Sequence, residues 1–164
     1  MPAARDDFEA FVAARYAALL RTAYLLTGDH HDAEDLLQQS LVKAVGAWKR
    51  IEGDPEPYVR TILVRQNVSR WRSRRWRELT TDSPPEQAGG DDGADDRLAL
   101  HHALGLLAPR QRAVIVLRYF EDLTEAQTAD VLGIAVGTVK SQARDALRRL
   151  REALPELADV LVSP

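Results

Sequence analysis

The stretch LTTDSPPEQAGGDDGADD, residues 79–96, constrains this chain more than any other. It concentrates Pro, Gly, Ser, Thr and Asp and carries almost no apolar side chain, so burial cannot offset the entropy of ordering it. It predicts a flexible linker, extended by its own charge, that separates two short halves, residues 1–78 and 97–164. Neither half shows a convincing period-two strand, and both carry apolar residues at helical spacing. The expected fold is all-α: two small helical domains joined by an acidic linker.

Charge is distributed as unevenly as composition. The formal net charge is −3, which looks wrong for a nucleic-acid binder until it is divided along the chain. Residues 60–77 hold seven arginines and no acid, whereas residues 78–96 hold seven acids and no base. A strongly basic block thus abuts a strongly acidic one. The absence of cysteine excludes a disulfide framework, thiol catalysis and cysteine zinc sites. No apolar run approaches the roughly 18–20 residues that span a bilayer. The opening MPAARDDFEA lacks the basic-then-apolar order of a signal peptide, and the chain ends soon after the second half. A soluble, cytoplasmic protein without membrane attachment or a long C-terminal extension is expected.

In the first half, Phe8, Phe11, Val12, Leu19, Leu20 and Ala23 follow helical spacing, and Thr27-Gly28 ends that helix. Asp29 is placed to cap a second helix, with Asp32 and Glu34 favoured in its first turn by the dipole. Ala33, Leu37, Leu41, Ala44 and Trp48 give it one apolar stripe. Asp54-Pro55 starts a third helix that carries the basic block. The second half opens with a helix around 95–107 that stops at Ala108-Pro109. The mostly apolar QRAVIVLRYF follows and is expected to be buried on several sides. Thr124 then caps a short helix, EAQTADVL, Gly133 turns the chain, and a last helix begins.

Residues 124–150 fit a helix-turn-helix. Ala129 lets two helices approach, and Gly133 takes the backbone angles of a tight turn. Val139, Ala143, Leu147, Leu150 and Leu154 form an inward stripe, leaving Lys140, Ser141, Gln142, Arg144, Arg148 and Arg149 off the core. Gln, Lys and Arg suit base edges and phosphates in a major groove. The competing reading is an ordinary solvated helix face. In RWRSRRWR, residues 70–77, the arginines attract phosphate while Trp71 and Trp76 offer surfaces for unstacked bases. The competing reading there is tryptophans as core anchors with snorkelling arginines.

Other signals are weak. His30-His31 and His101-His102 are adjacent pairs whose members point apart, and without cysteines a metal site is not expected. No Ser/His/Asp arrangement, glycine-rich phosphate loop or nucleotide motif is present, so neither an enzyme nor a cofactor is expected.

Taken together, the residues resemble the extracytoplasmic-function (group IV, sigma-70 family) RNA polymerase sigma factors. DAEDLLQQSLVKAVGAW, residues 32–48, looks like that family's core-polymerase-binding helix. PEPYVRTILVRQNVSRWRSRR resembles its −10 helix, and LAPRQRAVIVLRYFEDLTEAQTADVLGIAVGTVKSQ its −35 domain. The wording of the last motif is most similar to the actinobacterial SigE-type branch. The resemblance implies that residues 1–78 bind core polymerase and the −10 element, and that 97–164 bind the −35 element. It places Asp35, Leu36, Gln38, Gln39, Leu41 and Lys43 against the beta-prime clamp helices. Tyr58, Arg60, Thr61, Arg65 and Arg70 would lie near the −10 strand, with Trp71, Arg72 and Arg75 of the basic run beside them. Thr138, Lys140, Ser141, Gln142 and Arg144 would meet the −35 groove, with Arg148 and Arg149 nearer phosphates. The implied partners are core RNA polymerase, through its clamp helices and beta flap, and promoter DNA; an anti-sigma factor is admitted but not identified. Three residues depart from the pattern: Arg65 where many relatives have Asn, Gln39 for Glu, and Asp145 for a small or basic residue. A stand-alone helix-turn-helix regulator, using only the second half, is the competing function.

Overall fold

The computed structural model describes residues 2–80 and 95–155. The linker expected over 79–96 falls, for residues 81–94, outside the described residues. The described residues form seven α-helices and no strand: α1 Pro2–Thr27, α2 His30–Ala47, α3 Glu56–Thr80, α4 Asp95–Gly105, α5 Pro109–Ile115, α6 Glu125–Leu132 and α7 Val136–Ala153. By packing, the chain divides into two compact units, Met1–Ser69 and Arg70–Pro164, with the boundary inside α3.

In the first unit, α1 packs on α2. Leu19, Ala23 and Leu26 of α1 recur every three or four residues and are buried, as are Ala33, Leu36, Leu37, Leu41 and Ala44 of α2. Between the helices, Gly28 takes a left-handed φ of 77°, and the Asp29 carboxylate accepts from the Asp32 amide at 3.0 Å, as the sequence predicts. The expected start of α3 also holds: the Glu56 amide donates to the Asp54 carboxylate at 3.0 Å, and Val59, Leu63 and Val64 are buried beyond it. Trp48 extends α2 as a 3₁₀ turn, with the rings of Phe8 and Phe11 centred 5.1 and 5.3 Å from its own. Glu56 pairs with Arg15 and joins α1 to α3.

The second unit is centred on α5 and the turn that follows it, where Gln111 through Leu117 are all buried. The expected helix QRAVIVLRYF is thus the core element, but its end differs from a regular helix. Val116–Phe120 widen into a π-helical turn, closed by a 3.0 Å bond from the Glu121 amide to the Val116 carbonyl. Asp122 then takes a left-handed φ of 59°, a conformation that Asp tolerates better than bulkier residues, and Arg118 donates to the Leu123 carbonyl across the loop.

Candidate nucleic-acid interface

The helix-turn-helix is built by α6 and α7. Thr124 Oγ1 accepts from the Gln127 amide at 3.0 Å, and Gln127 Oε1 accepts from the Thr124 amide at 2.9 Å, which fixes the start of α6. At its end Gly133 has a φ of 66°, and the Ile134 amide reaches back to the Ala129 carbonyl at 3.1 Å. Val114, Ala129 and Val139 form the buried cluster beneath the turn, with Leu132, Ile134 and Ala143 packed at its edge. The expected stripe on α7 is corrected. Val139, Ala146 and Leu150 are the fully buried positions, while Ala143, Leu147 and Leu154 are only half-buried, because spacings of seven and eleven follow the 3.6-residue turn more closely than strict fours.

This core turns Lys140, Arg144, Arg148 and Arg149 to solvent and leaves Thr138, Ser141 and Gln142 half-buried. Ser141 Oγ donates to the Thr138 carbonyl at 3.0 Å, so its lone pairs remain for an incoming donor. Asp145 lies 3.5 Å from Arg148, an exposed pair that partly offsets that cation's charge. Beside Lys140 and Arg144 lies a cleft of about 290 Å³ to which Arg118, Tyr119, Arg151 and the acidic Glu125 also contribute. Arg118 and Arg151 add two cations that the sequence reading passed over. Arg151 is recoverable from its spacing to Lys140 and Arg144, whereas Arg118 reaches the cleft only through the tertiary packing of α5.

On α3, Tyr58 is 41% exposed, and Arg65, seven residues on, is exposed on the same face with half-buried Thr61 between them. Thr61 Oγ1 donates to the Pro57 carbonyl at 2.9 Å. Arg60 is a correction: its side chain is 16% exposed and lies 3.8 Å from Glu56, on the bundle side rather than with Tyr58 and Arg65. Further along, Arg70 is half-buried, and Arg72 and Arg75 are exposed. The two tryptophans are distinguished. Trp71 is 38% exposed with the Arg75 guanidinium 5.3 Å from its ring centre, whereas Trp76 is 70% exposed. Neither is a core anchor.

The outer face of α2 carries Asp35, Gln38, Gln39 and Lys43, all exposed. Leu36 and Leu41, expected beside them, are instead 0 and 6% exposed and occupy the inward stripe. Val42 and Val45, 69 and 48% exposed, lie on the outer face, and the sequence reading missed them. The signal was present, since Val42 follows Asp35 by seven residues and Gln38 by four. An exposed apolar centre rimmed by amides suits a protein partner more than phosphate. Among the described residues no cluster of His, Asp or Glu has the arrangement of a metal site.

Comparison with known proteins agrees with this geometry. Residues 11–77 match the family described as Sigma-70 region 2, and residues 97–150 match Sigma-70, region 4. The chain is 41% identical over 153 residues to the RNA polymerase sigma-E factor of Streptomyces coelicolor, covering 90% of this chain and 86% of that protein. It is 40% identical over 153 residues to the ECF RNA polymerase sigma factor SigL of Mycobacterium tuberculosis, covering 86% of this chain and 85% of that protein. Among solved structures it is similar to the sigma factor RpoE of Bartonella quintana, in complex with the anti-sigma factor NepR. The TM-score is 0.74 and the identity 28%, over 92% of this chain and 98% of that one. CnrH, solved with the cytosolic domain of CnrY, shares the fold at a TM-score of 0.65 and 22% identity, over 92% of this chain and 89% of that one. The region 2 match in the first half disfavours the reading of a regulator built on the second half alone. With both regions present, in order and over most of its length, the chain belongs to the sigma-70 family as an extracytoplasmic-function RNA polymerase sigma factor.

Proposed function

We propose that the chain binds core RNA polymerase through the outer face of α2 and reads promoter DNA through α3 and α7. Residues 1–78 serve polymerase and the −10 element, 97–164 serve the −35 element, and 79–96 join them. The observation that carries this reading is α7: a buried stripe on a capped helix-turn-helix presents Lys140, Arg144 and Arg148 along one face, with Arg149 exposed further round the helix. On α3, Tyr58, Thr61 and Arg65 form the −10 face, continued by Arg70, Arg72 and Trp76. On α2, Asp35, Gln38, Gln39, Val42 and Lys43 meet the clamp helices. The beta flap is a further contact on the polymerase. Because RpoE is solved with an anti-sigma factor, a protein of that class is a proposed inhibitor of this chain as well.

The chain acts as a recognition subunit and not as an enzyme, and its place is the cytoplasm, with polymerase and DNA. No described helix is long and apolar enough to cross a membrane. The test is transcription from fragmented genomic DNA by core polymerase reconstituted with this chain, with the 5′ ends of the transcripts sequenced. The expected result is a set of start sites sharing paired −35 and −10 elements. Start sites indistinguishable from those of core polymerase alone would refute the reading.

A further inference from the structure

We infer that Gln66 is a positioning residue that sets the side chains of Gln39 and Lys43 for polymerase and ties them to the promoter-facing helix. Gln39 and Lys43 are one turn apart on α2, and Gln66 lies opposite them on α3. Lys43 Nζ donates to Gln66 Oε1, and Gln66 Nε2 donates to Gln39 Oε1 at 3.1 Å. A single primary amide thus fills two roles at once, acceptor to the cation and donor to the neighbouring amide. All three groups lie near solvent, so the bridge adds little to stability. Its effect is orientation: two long, rotamer-rich side chains are held before a partner arrives, which lowers the entropy lost on binding. Gln66 also directly follows Arg65, so one residue of α3 faces promoter DNA while the next holds the proposed polymerase face.

The inference rests on the proposed role of the α2 face, and its test separates the two. Binding of the full chain to core RNA polymerase is measured for Gln66→Leu, Gln66→Asn and Gln66→Glu, with Gln39→Ala and Lys43→Ala as references. Leu removes both hydrogen bonds, and Asn keeps the amide but shortens its reach. Both are expected to weaken core binding roughly three- to ten-fold while leaving the melting temperature unchanged. Glu is expected to restore binding to within about two-fold, because its carboxylate accepts from Lys43 and from a rotated Gln39 amide. In a Gln39→Ala/Lys43→Ala background, Gln66→Leu is expected to have no further effect. The inference is overturned if Gln39→Ala and Lys43→Ala weaken binding while Gln66→Leu and Gln66→Asn do not. If the two reference variants bind core like the parent, these side chains are not polymerase contacts, and the inference falls with that reading.

Discussion

α2 and α7 are both eighteen residues long, and each buries one stripe and exposes the other, yet their outer faces are chemically opposite. α2 exposes Gln38, Gln39, Val42 and Val45 beside two acids, Glu34 and Asp35, and one lysine, whereas α7 exposes Lys140, Arg144, Arg148 and Arg149. The same amphipathic plan therefore presents two surfaces of different chemistry. Apolar centres and amides gain by excluding water against another protein, while guanidinium and ammonium groups gain by releasing counterions from phosphate. The inner stripes differ much less: α2 buries Leu and Ala with Ser40, and α7 buries Val, Ala and Leu. The two helices are separated by what they turn outward.

The comparison breaks most visibly if an inner-stripe residue is a contact after all. Leu36→Ala is expected to cost about 2–4 kcal/mol of stability in the first unit, read by chemical denaturation, because it leaves a cavity at a fully buried position. Unchanged stability with lost core binding would return Leu36 to the partner face. Next in size, Lys140→Ala is expected to weaken −35 promoter binding by about 1–3 kcal/mol and to reduce the steepness of its salt dependence. The check is binding of a promoter fragment to holoenzyme at several salt concentrations.

The tryptophans sharpen the picture on α3. Trp76→Ala is expected to cost promoter opening about 1–2 kcal/mol of base stacking, and Trp71→Ala less, because a guanidinium already lies over the Trp71 ring. Opening rates on a supercoiled template rank the two, and a larger loss at Trp71 reverses the assignment. The smallest effect is expected at Asp145. Asp145→Ala releases Arg148 from its ion pair and should raise DNA affinity by about two- to five-fold at low salt, with the gain vanishing at high salt.

Much of this was legible in the sequence because the elements are punctuated locally. Thr27-Gly28, Asp29, Thr124 and Gly133 each act within a turn of their own position, and each holds in the structure. What escaped depends on distance along the chain or on small angular drift. Arg60 turns inward toward Glu56, itself held by Arg15 from forty-one positions earlier. The bridge from Gln66 to Gln39 spans twenty-seven positions and follows no periodicity. Ala146 replaces Leu147 on the inner stripe because helical positions shift by a fraction of a residue per turn. Val42 was overlooked because an apolar residue on a helix suggests the core, although its spacing from Asp35 and Gln38 places it outside.

Val42→Glu tests directly whether the outer face of α2 is the protein-binding face. At a position 69% exposed, this change should leave stability within about 0.5 kcal/mol. A charge placed at the centre of an apolar contact should weaken core polymerase binding at least about ten-fold, while Lys140→Ala leaves that binding unaltered. Core affinity measured for the two variants side by side decides the matter. Loss at Val42 with retention at Lys140 is the predicted result, and retention at Val42 with loss at Lys140 would contradict the division of labour between the two helices.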